Sequence, residues 1–180
     1  MMIKKQNYLK HAIVLFLLLL LMQPGRALAA YENIEFCSLT NHDGLTNSQV
    51  GAILKDTRGY IWFGTQSGLC RFDGFRMKTF YYSNTDDKSL PNNSVDELQQ
   101  DYDGNIWVHT SVGYSIYKYD EEQFDRKPEE WLKNIHVQGP PYKLLIDKNK
   151  NMWIAVYGQG LYYHNAKTKN TYLFKFTKKA

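Results

Sequence analysis

The sequence predicts an all-β protein, a partial and open β-propeller of about three four-stranded antiparallel blades behind an N-terminal signal segment. Three observations support this fold class. Trp62, Trp107 and Trp153 follow one another at intervals of 45 and 46 residues. An aspartate precedes each tryptophan at the same spacing, at Asp56, Asp101 and Asp147. Short apolar runs alternate with Asp-, Gly- and Asn-containing segments, and a period in the forties built from short strands is typical of a propeller blade.

The first repeat, residues 45–80, shows how the strands are predicted. Val50–Lys55 and Ile61–Thr65 are apolar runs rather than alternating patterns, which is typical of strands buried on both faces. Asp56–Gly59 between them is expected to be a tight turn, since aspartate accepts backbone N–H bonds and glycine can adopt positive φ. The other two predicted strands, Cys70–Phe72 and Phe75–Phe80, are joined at the hairpin-favouring dipeptide Asp73-Gly74.

The second repeat is expected at residues 90–127 and the third at residues 142–176, with a short helical insertion near 128–134. A helix is predicted there because proline stands at its first position, acidic residues fill its first turn and a lysine follows near its end. The third repeat is read as the strands Tyr142–Asp147, Met152–Val156, Leu161–Asn165 and Thr171–Phe176. Its turn at residues 157–160 has one residue more than its counterparts, so Tyr157 and Gln159 are expected to protrude.

These repeats resemble the two-component regulator propeller repeat, found in the periplasmic sensor region of hybrid two-component histidine kinases. The resemblance is carried by GLTNSQVGAILKDTRGYIWFGTQSGLCRFDG and DDKSLPNNSVDELQQDYDGNIWVHTSVG, and more loosely by LLIDKNKNMWIAVYGQGL. The third segment departs from the pattern, because Lys150 stands where the other two have glycine and Val156 stands where they have threonine. The geometry of its first turn is therefore open.

The resemblance implies a function. The chain is expected to be the N-terminal fragment of a periplasmic ligand-sensing propeller, contributing to carbohydrate recognition for signal transduction, with no catalysis and no cofactor of its own. Full-length relatives of this family are anchored in the inner membrane and carry a histidine kinase core. The alternative is a fragment of an exported propeller enzyme, a lyase or hydrolase acting on polysaccharides.

Residues 1–29 are predicted to be a secretory signal peptide, followed by the propeller at residues 30–180. Lysines precede the apolar stretch Ala12–Met22, and the small-residue site Ala27-Leu28-Ala29 follows it. As a helix this stretch would rise about 16 Å, too short for a hydrocarbon core of roughly 30 Å. Export to the periplasm is expected, and an uncleaved anchor stays open as an alternative.

The charge balance excludes a nucleic-acid partner. The formal net charge is +4, but the only charged residues of the first thirty are four basic ones, so the remainder of the chain is neutral. Tyr31–Leu39 is predicted to be a strand ahead of the first repeat. Cys37 and Cys70 are expected either to be small buried apolar residues or to form a disulfide in an oxidising compartment.

The candidate ligand-binding residues lie in loops expected on one face of the propeller, where binding usually resides. For Tyr81, Tyr82 and Lys88 the alternative is that their connection only fixes the turn into the second blade. His109 would line either the central channel or the binding face, and an ordinary hydrogen-bonded histidine is the competing interpretation. The set is Gln66, Tyr81, Tyr82, Lys88, His109, Tyr157 and Gln159. No metal site is predicted, because the Asp- and Asn-rich turns lack the glycine and glutamate of a calcium loop and the histidines lack ligand spacing.

Three blades do not close a ring. A repeat buries its apolar faces only against neighbours, so the third blade is expected to expose a hydrophobic face. The expected partners are therefore the remaining propeller blades or a second protomer, together with an oligosaccharide ligand. In isolation the arc is expected to be marginally stable or prone to aggregation.

Overall fold

The computed structural model of the protein describes residues 38–175, together with Phe16 and Phe36. Within this part of the chain, twelve strands form three four-stranded antiparallel sheets, each with its strands in chain order from first to last. The first sheet contains β1 (Val50–Lys55), β2 (Ile61–Thr65), β3 (Gly68–Phe72) and β4 (Met77–Phe80). The second contains β5 (Val95–Gln100), β6 (Ile106–Thr110), β7 (Gly113–Lys118) and β8 (Gln123–Asp125). The third contains β9 (Pro141–Ile146), β10 (Met152–Val156), β11 (Gly160–His164) and β12 (Thr171–Phe174).

The all-β, three-sheet prediction is confirmed, and α1 (Pro128–Lys133) stands where the helical insertion is predicted. The sequence also suggests that this insertion replaces the outer strand of the second blade, and that expectation is wrong, because a three-residue outer strand, β8, precedes the helix. A 3₁₀ turn at Asn41–Asp43 leads into the first sheet. No helix among the described residues is long and apolar enough to span a bilayer.

Some predictions fall on residues that the structure does not describe. Apart from Phe16, the signal peptide lies outside the described residues. Of the strand predicted at Tyr31–Leu39, Phe36, Ser38 and Leu39 are described, and none of the three is in a strand. Cys70 is buried and its Sγ accepts a hydrogen bond from Thr46 N at 3.4 Å. Cys37 is not described, so a disulfide between the two cysteines stays a prediction.

The repeated aspartate ties each first turn to its tryptophan. Asp56 Oδ1 accepts hydrogen bonds from the backbone N–H of Arg58 and Tyr60, at 2.9 and 3.0 Å. Its Oδ2 accepts from Trp62 Nε1 at 2.7 Å. Asp101 repeats the arrangement and accepts from Trp107 Nε1 at 2.9 Å. The carboxylate thereby satisfies both the turn and a buried indole, which explains the fixed spacing of the two residues.

The third repeat keeps the turn, but its aspartate is not hydrogen-bonded to the repeat tryptophan. Asp147 Oδ1 accepts from the backbone N–H groups of Asn149 and Asn151, at 2.8 and 3.0 Å. Its Oδ2 accepts from Asn151 Nδ2 at 3.0 Å and makes no bond to Trp153. Lys150 takes the left-handed conformation, with φ 65°, that glycine supplies in the other two turns. The turn geometry left open by the sequence is therefore preserved, at the expense of a strained lysine.

The core lies between adjacent sheets. Trp62 packs between the first and second sheets with Phe80, Tyr117 and other apolar side chains. Trp107 occupies the equivalent position between the second and third sheets, next to Trp131 of α1. Both tryptophans are at most 1% exposed. The repeat tryptophan is thus a packing residue between blades.

The outer faces of the first and third sheets are more exposed than the faces between the sheets. On β1, burial alternates between half-buried and exposed residues, so the prediction that this strand is buried on both faces is wrong. Among the described residues, no further sheet packs against the outer face of the first sheet or of the third. On the third sheet, Trp153 is only partly buried, and the side chains in line with it across the strands are apolar. The predicted hydrophobic face of the third blade is therefore present.

Glu122 links the first two sheets. Its carboxylate pairs with Lys78 Nζ and lies 3.1 Å from Arg71 Nη2. These hydrogen bonds, that of Lys78 first, hold the pKa of Glu122 below its usual value of 4.5. A carboxyl whose pKa is depressed by folding stabilises the protein above its unfolded pKa, and this contribution is lost as the pH falls through the folded value.

We expect acid to destabilise the chain partly through Glu122. The urea midpoint, followed by circular dichroism, should fall between about pH 6 and about pH 3, and should fall less in Glu122→Gln because that variant has no carboxyl to protonate. Glu121→Gln is the matched control, since Glu121 makes no ion pair among the described residues. An identical pH dependence in Glu122→Gln and in the wild type would contradict the assignment.

Candidate functional site

A β-bulge interrupts the inner strand of each sheet near its first residue. The residues without a direct partner are Gly51, Asp96 and Tyr142, in β1, β5 and β9. A bulge turns its extra residue out of the ladder and re-aims the side chain. Asp96 is 52% exposed and Tyr142 is 73% exposed. The inner strands of the second and third blades therefore each project one bulge side chain, whereas Gly51 of the first blade has none.

The bulges share one edge of the sheets with the turns between the second and third strands of each blade. We call this the turn edge: the bulge residues together with the turns at residues 66–67, 111–112 and 157–159. In the first blade, Thr65 Oγ1 donates to Gly68 O at 2.8 Å and accepts from Ser67 N at 3.0 Å, which holds the turn. Val156 has no hydroxyl for this role, so the third turn is built differently.

The third blade carries the most open part of the turn edge. Tyr157 is 91% exposed and flanks a cavity of 360 Å³ together with Tyr142. Gln159 lies between this cavity and a larger neighbouring groove of 630 Å³. Its side chain donates to Gln138 O at 2.9 Å and accepts from the Tyr162 hydroxyl at 2.5 Å. Two exposed aromatic rings and a fixed amide thus line one opening.

An ionisable cluster lies at the inner strands of the second and third blades, next to Tyr142 in the sequence. We call it the inner polar cluster; it consists of Asp96, Glu97, His109, Tyr114 and Lys143. His109 Nδ1 lies 2.6 Å from Asp96 Oδ1, and its ring is 4.4 Å from that of Tyr114. The Tyr114 hydroxyl donates to Glu97 Oε2 at 3.2 Å, and Lys143 Nζ donates to Glu97 Oε1. The cluster therefore connects the second and third blades.

Tyr114 has a structural role within this cluster. It is 6% exposed, and its hydroxyl also accepts a hydrogen bond from Leu144 N at 3.0 Å. Burial, chiefly, raises the pKa of Tyr114 well above its usual value of 10. The phenol is therefore neutral at physiological pH and both of its hydrogen-bonding roles are taken.

The candidate residues of the first blade lie near its turn. Gln66 Oε1 accepts from Ser94 Oγ at 2.9 Å, which joins the turn to the start of the second blade. The ring of Tyr81 lies over Gly68, where an added Cβ would come within 3.2 Å of it. Tyr81 and Tyr82 are 52% and 46% exposed. These residues lie near one turn, and none of them lines the two cavities at the turn of the third blade.

Lys88 lies elsewhere, against the outer strand of the second blade. Its carbonyl accepts from Phe124 N at 2.8 Å, and its side chain lines a separate cavity of 420 Å³. Arg126 fixes this placement by donating to the carbonyls of Ser83, Asp86, Ser89 and Leu90 and to the Ser89 hydroxyl. The connection between the first two blades is thus tied to the outer strand of the second.

The sequence predicted that Tyr157 and Gln159 protrude at this turn and that His109 lines the central channel or the binding face, but it did not point to Tyr142, Asp96 or the partners of Glu97. The spacing of the repeats could have revealed the bulge residues. Gly51, Asp96 and Tyr142 are spaced 45 and 46 residues apart, as the tryptophans are. Comparing the repeats position by position would have shown that a glycine becomes an aspartate and then a tyrosine. Among the described residues, no group of three His, Cys, Asp or Glu side chains is arranged to hold a metal ion.

Comparison with known proteins supports the fold. The family model described as two component regulator propeller matches residues 44–67 and 89–111. A segment of 61 residues is 41% identical to Histidine kinase P4 of Formosa agariphila and covers 34% of this chain and 4% of that protein.

Solved extracellular domains assigned to hybrid two component systems of B. thetaiotaomicron are similar in structure. The BT3049 domain aligns with a TM-score of 0.54 at 24% identity, covering 77% of this chain and 20% of that chain. The BT4673 domain aligns with a TM-score of 0.43 at 17% identity, covering 77% and 27%. The chain thus spans about one fifth of the BT3049 domain, and this likeness shows the propeller-type fold. Residues 44–67 and 89–111 therefore match the two component regulator propeller family, and the described part of the chain resembles the BT3049 extracellular domain in fold.

Proposed function

We propose that the chain is part of an exported, periplasmic ligand-sensing propeller, and that its turn edge recognises a carbohydrate for signal transduction without catalysing a reaction. One observation carries the proposal. Tyr142 and Tyr157 stand 73% and 91% exposed on either side of one cavity, whereas the repeat tryptophans of the first two blades are buried. Exposed aromatic faces with a polar tip suit the apolar face and the hydroxyls of a sugar ring.

The neighbouring polar groups complete such a site. Gln159 presents an amide held by two hydrogen bonds, and Lys143 and Asp96 lie 56% and 52% exposed near the same edge. These groups can donate to and accept from sugar hydroxyls while the tyrosines supply contact area. Gln66, Tyr81, Tyr82 and His109 would extend the binding surface across the first two blades, whereas Lys88 belongs to the outer edge. The similar extracellular domains and Histidine kinase P4 support a role within a longer two-component sensor.

The test is a binding screen of the full chain against neutral and acidic oligosaccharides, followed by calorimetric titration of the best binder. We expect Tyr157→Ala and Tyr142→Ala each to weaken binding about tenfold, because each removes a stacking face. Phe75→Ala is the matched control, since Phe75 is 93% exposed but lies in the turn between β3 and β4 at the other edge. Failure of every oligosaccharide to bind, or unchanged affinity in both tyrosine variants, would overturn the proposal.

An exported propeller enzyme acting on polysaccharides is the alternative. The inner polar cluster favours it, since two carboxylates, a histidine and a tyrosine are the groups of acid–base catalysis. Against it, the Tyr114 hydroxyl is committed to Leu144 and Glu97, and Glu97 is paired with Lys143. Incubating the full chain with the bound oligosaccharide and analysing the products by mass spectrometry separates the two: turnover that is lost in His109→Ala would establish the enzyme.

We further propose that a neighbouring blade of the same kind covers the apolar face of the third sheet. The positions of Leu145, Trp153 and Tyr163 on this face correspond to those that the second sheet covers on the first. A blade supplied by the same longer protein or by a second protomer would bury them. The oligosaccharide ligand and this covering blade are the two partners that we propose for the chain.

A further inference from the structure

A cavity of 340 Å³ lies between the second and third blades, at the edge of the sheets opposite to the turn edge. It is bordered by the first turn of the second blade, by α1 and by the last turn of the third blade. The side chains that line it include two half-buried aromatic residues, Tyr102 and Trp131, together with Asp103 and Lys169. Its volume falls at the lower end of the range for small-molecule sites, roughly 300–1,000 Å³.

An aromatic ring that closes the first interface between blades is missing from the second. Tyr119 and Ala166 stand at the same position of the repeat, since each lies two residues beyond the residue that pairs with the start of its blade's second strand. Tyr119 packs edge to face on Trp62, with ring centroids 6.1 Å apart. Ala166 has only a methyl group, and it lines an adjoining cavity of 540 Å³ that shares Tyr102 and Asp103 with the first. The second interface therefore has open space beside Tyr102.

A cation already lies on the aromatic face of Tyr102. Lys169 Nζ is 3.4 Å from the centroid of that ring, well within the range of a cation–π contact. Lys169 is exposed and stands in the turn before β12, with a left-handed backbone of φ 60°. Its ammonium is carried by a flexible four-carbon stem rather than fixed by packing. The contact therefore shows that the ring face is open to a positively charged group, and that the present occupant can leave.

Trp131 forms the second aromatic wall. Its ring centroid lies 6.1 Å from that of Tyr102, at 45°, and 5.3 Å from that of Trp107, edge to face. The contact with buried Trp107 holds the indole in place, so both walls are formed before a ligand arrives. Ring faces offer few hydrogen-bond acceptors. A primary ammonium has three N–H donors to satisfy and a quaternary ammonium has none, so these walls favour the alkylated cation.

The charges around the cavity also favour a cation. Asp103 lines it, and burial, followed by the charge of Asp101, raises the pKa of Asp103 above its usual 3.8. Lys169 and Lys118 act on Asp103 in the opposite direction. Two carboxylates thus face two lysines, and movement of Lys169 into solvent would leave an excess of negative charge. A cationic ligand would restore the balance, whereas an anion would be repelled by both carboxylates.

We propose that this cavity binds a small organic cation with an alkylated ammonium group, and that Lys169 occupies the site when the cation is absent. The bound cation lies against Tyr102 and Trp131, near Asp103, in the place of the lysine ammonium, which moves into solvent. Lys169 is then a competitor within the chain that lowers the affinity for the ligand. The cavity lies at the edge opposite to the turn edge, and the proposal does not rest on the function proposed there.

The experiment is a ¹H–¹⁵N NMR titration of the full chain with choline at constant ionic strength, observing the indole N–H of Trp131. We expect a saturable shift of this signal in the millimolar range. The control probe is 3,3-dimethylbutanol, the uncharged carbon analogue of choline, which should bind about tenfold more weakly because it lacks the cation–π attraction. Absence of a saturable shift with choline, or equal affinity for the two probes, would overturn the proposal.

Substitution of Lys169 tests its role as competitor. Lys169→Gly removes the ammonium and suits the left-handed backbone, so we expect choline to bind about fivefold more tightly. Lys167→Ala is the matched control, since it removes another exposed lysine of the same turn that does not line this cavity. It should leave the affinity within about twofold. Unchanged or weaker binding in Lys169→Gly, or an equal gain in both variants, would overturn the proposal.

Substitution of Tyr102 tests the aromatic face. Tyr102→Phe keeps the ring and should retain the wild-type affinity, whereas Tyr102→Leu keeps an apolar side chain without a ring and should bind choline about tenfold more weakly. Wild-type affinity in Tyr102→Leu would refute the site. If Tyr102→Leu does not fold, Lys169→Gly, in an exposed turn, still decides the question. Tyr157→Ala, at the turn edge, should leave the choline response unchanged, so this proposal and oligosaccharide binding can fail independently.

Discussion

Replacing Trp107 by alanine is expected to destabilise the protein by about 3–5 kcal/mol, the usual result of truncating a large buried aromatic side chain. Trp107 is 1% exposed and packs against Trp131 at 5.3 Å, edge to face. It stands in the cluster that joins the second and third sheets. Its loss leaves a cavity at the interface that holds the third blade in place. Urea denaturation followed by far-ultraviolet circular dichroism measures the change in free energy of unfolding.

Trp153→Ala is the matched control, because the same repeat position is only partly buried on the third blade. Trp153 contacts Tyr163 and Phe174 of its own sheet and makes no indole hydrogen bond to Asp147 among the described residues. We expect a loss of about 1 kcal/mol or less. Since Trp153 lies on the uncovered apolar face, the variant should also associate less with itself in sedimentation velocity. Equal destabilisation by the two substitutions would contradict the packing described for Trp107.

Asp101→Ala is expected to cost about 3 kcal/mol of unfolding free energy, because it leaves buried donors without a partner. Asp101 is 1% exposed and accepts from the backbone N–H groups of Asp103 and Asn105, both at 2.9 Å. It also accepts from Asn105 Nδ2 and from Trp107 Nε1. Removing the carboxylate therefore loosens the turn and orphans the indole N–H at the centre of the interface.

Two further variants separate the contribution of the turn hydrogen bonds from that of the indole hydrogen bond. Asp101→Asn keeps one acceptor oxygen and should be destabilised less than Asp101→Ala in the same urea titration. Asp147→Ala removes the equivalent turn bonds without affecting a tryptophan, and we expect a loss of about 1 kcal/mol. If Asp147→Ala were as harmful as Asp101→Ala, the indole bond would not be the main contribution of the carboxylate.

Much of the fold follows from short-range sequence patterns. The predicted strands Val50–Lys55, Ile61–Thr65 and Met152–Val156 agree with the structure because apolar runs and turn residues are local signals. The helix at Pro128 is found for the same reason. Outer strands were placed less well: Phe75 and Arg76 belong to the turn before β4, since Asp73 Oδ1 accepts from the backbone N–H of both.

Local sequence patterns predicted only part of the candidate site. Tyr157 and Gln159 were found because an inserted turn residue is visible in the chain. Tyr142 was missed because it was counted as an ordinary strand residue, and a bulge becomes evident only when two strands are set in register. The position of Lys88 depends on Arg126, which is distant in sequence and holds the loop by its carbonyls.

The amino-acid sequence by itself determined the repeat, the strands within it and the pairing of each aspartate with a turn, because these depend on residues at most a few positions apart. Only the tertiary structure decided what the equivalent positions do. Trp107 and Trp153 have the same place in the repeat, yet one is buried and the other is partly exposed. The physical reason is that burial depends on whether another sheet packs against that face, and a residue's own repeat contains no information about its neighbour.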